Sequence, residues 1–181
     1  MEKQDLKQKI IPLILTLAVF ILDQVTKILV VKFIPPYTVG ASFLNELLRI
    51  VHVRNPGIAF SLGNTLSQNL RGLLFAVLPL FVLIVVFVVY FRNNDFTKLQ
   101  RWAISGIIGG GLGNIVDRIF RSESVVDFID VKFFGIFGLE RWPTFNVADS
   151  AVVICGGLLI VSFAISIIKE RKQNQKSKND D

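Results

Sequence analysis

Four apolar runs long enough to cross a bilayer dominate this chain, and two of them pass straight into segments crowded with carboxylates, asparagines and arginines. The runs cover about residues 10–31, 72–91, 102–120 and 147–168. A helix needs about 20 residues to cross the hydrocarbon core, so each run suffices, the third only if it stays helical past Asp117. Hydrophobic residues make up 52% of the chain and gather into runs instead of alternating, so lipid is the expected solvent for much of it. An ionised carboxylate near the bilayer centre costs about 2.5–3.5 kcal/mol on insertion scales. A chain that places several beside its spans is expected to use them.

The first run contains Asp23, Gln24 and Lys27. It is too long and too charged for a cleaved signal peptide, and no small-residue cleavage site follows, so it reads as a retained span. Pro79 lies in the second run and predicts a kink. Basic residues set the orientation. Eleven lysines and arginines fall in the roughly 32 residues of the amino-terminal tail, the second connection and the carboxyl tail, against eight in the roughly 70 residues of the other two connections. Both termini are therefore expected in the cytoplasm, and the carboxylate-rich segments at the outer face. The net charge of +6 reads as this orientation signal, with no nucleic-acid partner. The one cysteine, Cys155, cannot form an internal disulfide and reads as packing. The one histidine, His52, makes no multi-histidine metal site and reads as a surface residue.

Between the first two runs, Leu47 to Arg54 is β-prone and Asn55-Pro56-Gly57 reads as a turn, predicting a small sheet on the membrane surface. Phe133 to Trp142 is too apolar for a solvated loop and is expected to lie in the interface, as loop or helix, anchored by Trp142. Residues 169–181 are polar and expected to be a disordered cytoplasmic tail. The predicted fold is an all-α membrane protein: one integral domain over residues 1–181, with four transmembrane helices and a small extracytoplasmic β-sheet.

Asp127 and Asp149 are the first candidates for chemistry. Asp149 falls one turn into the fourth run and Asp127 just beyond the third, so antiparallel neighbours can bring the two carboxyls to one depth. Two carboxylates in one site hold a single proton between them. One can then take a proton from water while the other hydrogen-bonds the attacked carbonyl. The plainer reading is that Asp149 caps the fourth helix. Asn114, Asp117 and Arg121 share a helix face, with Arg118 adjacent; the plainer reading there is an interfacial Asp117–Arg118 ion pair with snorkelling arginines. Asn146 reads as a helix cap or a substrate hydrogen-bond donor. Asp23 and Lys27, at i and i+4, are expected to pair. Gly109, Gly110, Gly111 and Gly113 allow close helix packing, or passage of a lipid or peptide.

Five segments taken together resemble the lipoprotein signal peptidases, the signal peptidase II family of bacterial membrane aspartyl proteases. They are Asp23-Gln24-Val25-Thr26-Lys27, Asn55-Pro56-Gly57-Ile58-Ala59-Phe60, Gly109 to Arg118, Val126-Asp127-Phe128 and Phe145-Asn146-Val147-Ala148-Asp149, in family order across nearly the whole chain. The resemblance implies a hydrolase of the bacterial inner membrane that takes part in lipoprotein processing. It would remove the signal peptide from diacylglyceryl-modified prolipoproteins by cutting before the lipidated cysteine. It implies Asp127 and Asp149 as the catalytic pair, and Asn55, Asn114, Arg118 and Asn146 as residues lining the site, with Asp117 and Gly57 beside them. Asp23 and Lys27 would be structural support. It also implies an outer β-sheet cradle near Leu47 to Leu62 and a mobile helix over the site, matched here to the apolar loop before Trp142. No cofactor or metal is implied; the partners are the lipidated precursor and membrane lipid, and the chain is expected to be a monomer. The rival readings are a small ion-coupled transporter using Asp23, Asp117 and Asp149, and a structural membrane subunit.

Overall fold

The structure, a computed structural model, describes residues 3–56, 73–121 and 124–180. Helix α1 (Lys3–Ile10) meets Pro12 and the chain continues as α2 (Leu13–Phe33). Strands β1 (Val39–Phe43) and β2 (Leu48–Asn55) follow. A π-helical turn over Leu73–Val77 leads into α3 (Leu78–Arg92), then come α4 (Lys98–Phe120), β3 (Val125–Ile136), β4 (Leu139–Arg141) and α5 (Val147–Asp180).

Helix α2 is largely polar inside and apolar outside. On α2 the buried residues are Asp23, Lys27 and Val30, while Ile14, Leu17, Ile21, Val25 and Ile28 are exposed. A water-soluble helix shows the reverse pattern. Among the described residues three helical stretches are long and apolar enough to cross a membrane: Leu6–Phe33, Leu74–Arg92 and Val147–Gln173. Helix α4 is not among them by composition. It is the hub of the bundle, packed against α2, α3 and α5, with Ile104, Ile108 and Ile115 in the core. Its glycines serve packing. A Cβ on Gly109 would lie 2.7 Å from the Thr16 carbonyl oxygen of α2, and one on Gly113 would run into the Asp23 carboxylate. The helix starts on a capping box, in which Thr97 accepts from the Gln100 N–H and Gln100 accepts from the Thr97 N–H.

Pro79 lies just after the π-helical turn, in the first turn of α3, within the continuous helical stretch Leu74–Arg92. Two expectations change. Phe133 to Trp142 forms no helix and is not an irregular loop: it is the end of β3, a turn and β4. Phe134, Gly135, Phe137 and Gly138 all have positive φ there, which bends the ribbon sharply. Residues 169–180 continue α5 as helix, where a disordered tail was expected; Lys, Arg, Glu and Gln extend an existing helix at little cost.

The strands form one antiparallel sheet in the order β1-β2-β3-β4. Val126 and Phe128 of β3 pack against Val30 near the end of α2, which seats the sheet on the bundle. The register of β2 on β3 is broken. Ile50 pairs with Ile129 and Val53 with Asp127, so Val51 and His52 together oppose Phe128. This is a bulge of one extra residue.

Candidate active site

Asp127 lies near the start of β3, 1% exposed, and Asp149 lies in the first turn of α5. Asn146 joins them. It precedes α5 and caps it: its Oδ1 accepts from the Asp149 N–H at 2.9 Å, and Asp149 Oδ2 accepts from the Asn146 N–H at 3.1 Å. The Asn146 Nδ2 then donates to Asp127 Oδ1 at 2.7 Å and to Asn114 Oδ1 at 3.2 Å. Capping and contact with the site, alternatives from sequence, are one arrangement here. Asn55, at the end of β2, donates from Nδ2 to Asp127 Oδ2 at 2.8 Å. Asn114 of α4 donates from Nδ2 to Asp149 Oδ1 at 2.7 Å. Three asparagines thus hold the two carboxyls.

Behind this layer lies a buried charge cluster. Lys27 Nζ is 2.8 Å from Asp23 Oδ2 and 3.0 Å from Asp117 Oδ2, and all three side chains have no solvent exposure. Lys27 also donates to Asn114 Oδ1 at 3.0 Å. A lysine ammonium can only donate, so it turns the Asn114 amide with its NH2 toward Asp149. Asp23 Oδ1 accepts from the Ala148 N–H at 3.0 Å, tying α2 to the first turn of α5. Asp117 Oδ2 accepts from the Val126 N–H at 3.1 Å, tying α4 to β3. The expected Asp23–Lys27 pair is present. Asp117 pairs with Arg121 and not with Arg118, because i and i+4 lie on one helix face while i and i+1 do not. Arg118 is left facing the site: the charges of Asp149, Asp127 and Asp117 act on its guanidinium, and its buried Nε has no partner among the described residues.

Both aspartates line one cavity of about 850 Å³ with Val53, Asn55, Trp142, Phe145 and Val153. Its walls are mostly apolar, and its α5 side, Val153 and Ile154, is exposed on the outside of the bundle. Burial pushes the Asp127 carboxyl up to about 7; the neighbouring Asp149 charge acts in the same direction, and the hydrogen bonds from Asn55 and Asn146 act against both. A carboxyl raised to about 7 is partly protonated at neutral pH, and beside a second carboxyl it forms an arrangement that can activate a water.

Asp127, Asp149, Asn55, Asn114, Asn146 and Arg118 therefore come together, with Asp23, Lys27 and Asp117 directly behind. Gly57 lies outside the described residues, as does the rest of the segment from Ile58 to Leu62. Sequence reasoning missed Gln24, whose Nε2 donates to Asp23 Oδ2, the Gly113 carbonyl and Asp117 Oδ1; its place beside Asp23 was the available signal. It also misplaced His52, which is 1% exposed.

The family model described as signal peptidase (SPase) II matches residues 15–165. The chain is 51% identical over 167 residues to the lipoprotein signal peptidase of Treponema pallidum (strain Nichols), covering 92% of this chain and 88% of that protein. It is 48% identical to the lipoprotein signal peptidase of Treponema denticola, covering 92% and 95%. A solved structure described as a bacterial membrane enzyme, determined by the in meso method at 2.3 Å resolution, superposes with a TM-score of 0.72 at 28% identity, over 86% of this chain and 88% of that one.

Proposed function

The chain belongs to the signal peptidase II family of proteases, and from that premise we propose that it removes the signal peptide from diacylglyceryl-modified prolipoproteins by an aspartyl mechanism. The observation that carries the reading is the shared cavity, in which Asn146 bonds one aspartate through its side chain and the other through its backbone. At rest Asp127 carries the proton that the pair shares. The substrate's scissile carbonyl enters the cavity next to Asp127. Asp149 takes a proton from a water as that water attacks, and Asp127 hydrogen-bonds the carbonyl oxygen as negative charge develops on it. The tetrahedral intermediate then collapses. Its C–N bond breaks, and the proton taken by Asp149 passes to the leaving amine of the lipidated cysteine. Arg118 and the asparagines satisfy peptide carbonyls that lipid cannot.

The topology we propose places α4 as a fourth span. Its 23 residues extend about 34 Å at 1.5 Å per residue, enough to cross the core. Both termini then face the cytoplasm, with the dyad at the outer face. Two features support this orientation. Lys9 and Arg101 meet the carbonyls that end α3, of Phe91 and of Tyr90 and Asn93, at the end of the bundle away from the aspartates. The β3–β4 ribbon exposes Phe134 and Phe137, the latter 90% exposed, with Lys132 over the Phe134 ring. An aromatic ribbon of this kind suits a membrane–water interface. A substrate held there has its acyl chains in the outer leaflet and can enter past Val153 and Ile154.

The test is cleavage by the pure protein in liposomes. A precursor carrying diacylglyceryl on its cysteine is expected to be cut just before that residue. The same precursor without the lipid is expected to survive. Equal cleavage of both, or ion flux without proteolysis, would overturn the reading.

A further inference from the structure

The β2 bulge decides which residue faces Asp127. With it, Asp127 pairs with Val53, so Asn55, two residues on, lies on the Asp127 side of the sheet. Without the extra residue the register slips by one, and Arg54 takes that place. One of the two bulge residues is His52. It is 1% exposed, and its ring Nδ1 is 2.7 Å from the carbonyl oxygen of Ile34, the residue that ends α2. A carbonyl only accepts, so Nδ1 carries the hydrogen, and Nε2 is buried and without a partner among the described residues. The backbone of His52 is fixed as well: its N–H donates to the Thr38 carbonyl and its carbonyl accepts from the Tyr37 N–H.

We propose that His52 is a positioning residue for Asp127, acting through the bulge: its hydrogen bond to Ile34 pins the bulge to the end of α2 and so aims Asn55 at the Asp127 carboxyl. This rests on the proposed aspartyl reading and adds a residue to it. His52 touches neither aspartate, and nothing places it in the cavity lining. Its effect is carried by one contact, the 2.8 Å bond from Asn55, which favours the ionised form of Asp127. The charges around Asp127 come from Asp149 on α5, Lys27 on α2 and Arg118 on α4, and a change at His52 leaves all three in place.

The experiment compares His52→Asn, His52→Gln and His52→Phe with Asn55→Ala by pH–rate profile on a lipidated precursor, in the full-length protein in liposomes. Asparagine keeps a donor at the Nδ1 position; glutamine carries it one bond too far, and phenylalanine removes it. His52→Asn is expected within about threefold of wild type. His52→Gln and His52→Phe are expected to lose about 10- to 100-fold in kcat with little change in KM, the size of a small misplacement of a catalytic group. Their alkaline limb is expected to move upward, as in Asn55→Ala, and the His52→Phe, Asn55→Ala double variant to be no slower than Asn55→Ala alone. Should His52→Phe fail to accumulate, the asparagine–glutamine contrast decides. Equal kcat in those two, or slower variants whose limb stays put, would overturn the proposal. Turnover retained by Asp127→Asn would instead sink the aspartyl reading beneath it.

Discussion

Asp127→Asn and Asp149→Asn are each expected to lower turnover of a lipidated precursor by at least about 1,000-fold while the protein still accumulates in the membrane. Each amide is nearly isosteric with the carboxyl it replaces but can neither take up nor release the reaction's proton. The fold tolerates both changes for different reasons. At residue 149 the oxygen of the new amide can still accept the Asn146 N–H and cap α5, while its NH2 meets the Asn114 donor. At residue 127 the new NH2 meets the donor of Asn55 or Asn146, at a cost of about 1–3 kcal/mol, while Val126 and Phe128 still hold the strand on α2. Thermal unfolding in detergent, measured beside cleavage, separates the two effects. The double variant is expected to be no worse than either single, since the two groups act as one unit. Substantial activity in either single variant would remove that group from the chemistry.

The second large effect is on the fold. Lys27→Met leaves Asp23 and Asp117 buried without their shared cation, and removing one member of a buried charge cluster costs about 3–5 kcal/mol. It also frees the Asn114 amide to turn away from Asp149. Loss of accumulation, or a large drop in thermal stability, is the expected outcome. The triple change Lys27→Met, Asp23→Asn, Asp117→Asn removes the stranded charges and is expected to recover much of the stability without the activity. A Lys27→Met protein of wild-type stability would mean that the cluster is not buried as the structure has it.

The spans and the pieces of the site were readable because each is local. Apolar runs mark α2, α3 and α5, and Asp23, Asn114, Asp127, Asn146 and Asp149 stand beside them in short segments. What the sequence hid depends on contacts distant along the chain. The bulge at Val51 and His52 exists only relative to β3, more than 70 residues later. His52 looked like a surface residue because nothing local says that the end of α2 covers it. The ribbon after Asp130 looked like a loop or helix because Phe134 and Phe137 adopt positive φ, which aromatic residues rarely do and composition does not announce. Asp130 is itself held by Arg49 of β2 at 2.6 Å and Arg141 of β4 at 2.6 Å, a three-strand clamp no single motif encodes. The Asp117–Arg121 pairing, by contrast, was available from helical spacing alone.

The central claim is that Asp127 and Asp149 share one proton in one cavity, and the pH dependence of kcat for a lipidated precursor in liposomes tests it most directly. A carboxyl raised to about 7 is protonated below that pH and ionised above it, so the competent, singly protonated pair is lost as pH rises. The account predicts a bell-shaped profile whose alkaline limb is centred near pH 7. A rate that keeps rising from pH 7 to about pH 9 would mean that the doubly ionised pair is the active form, and would contradict it.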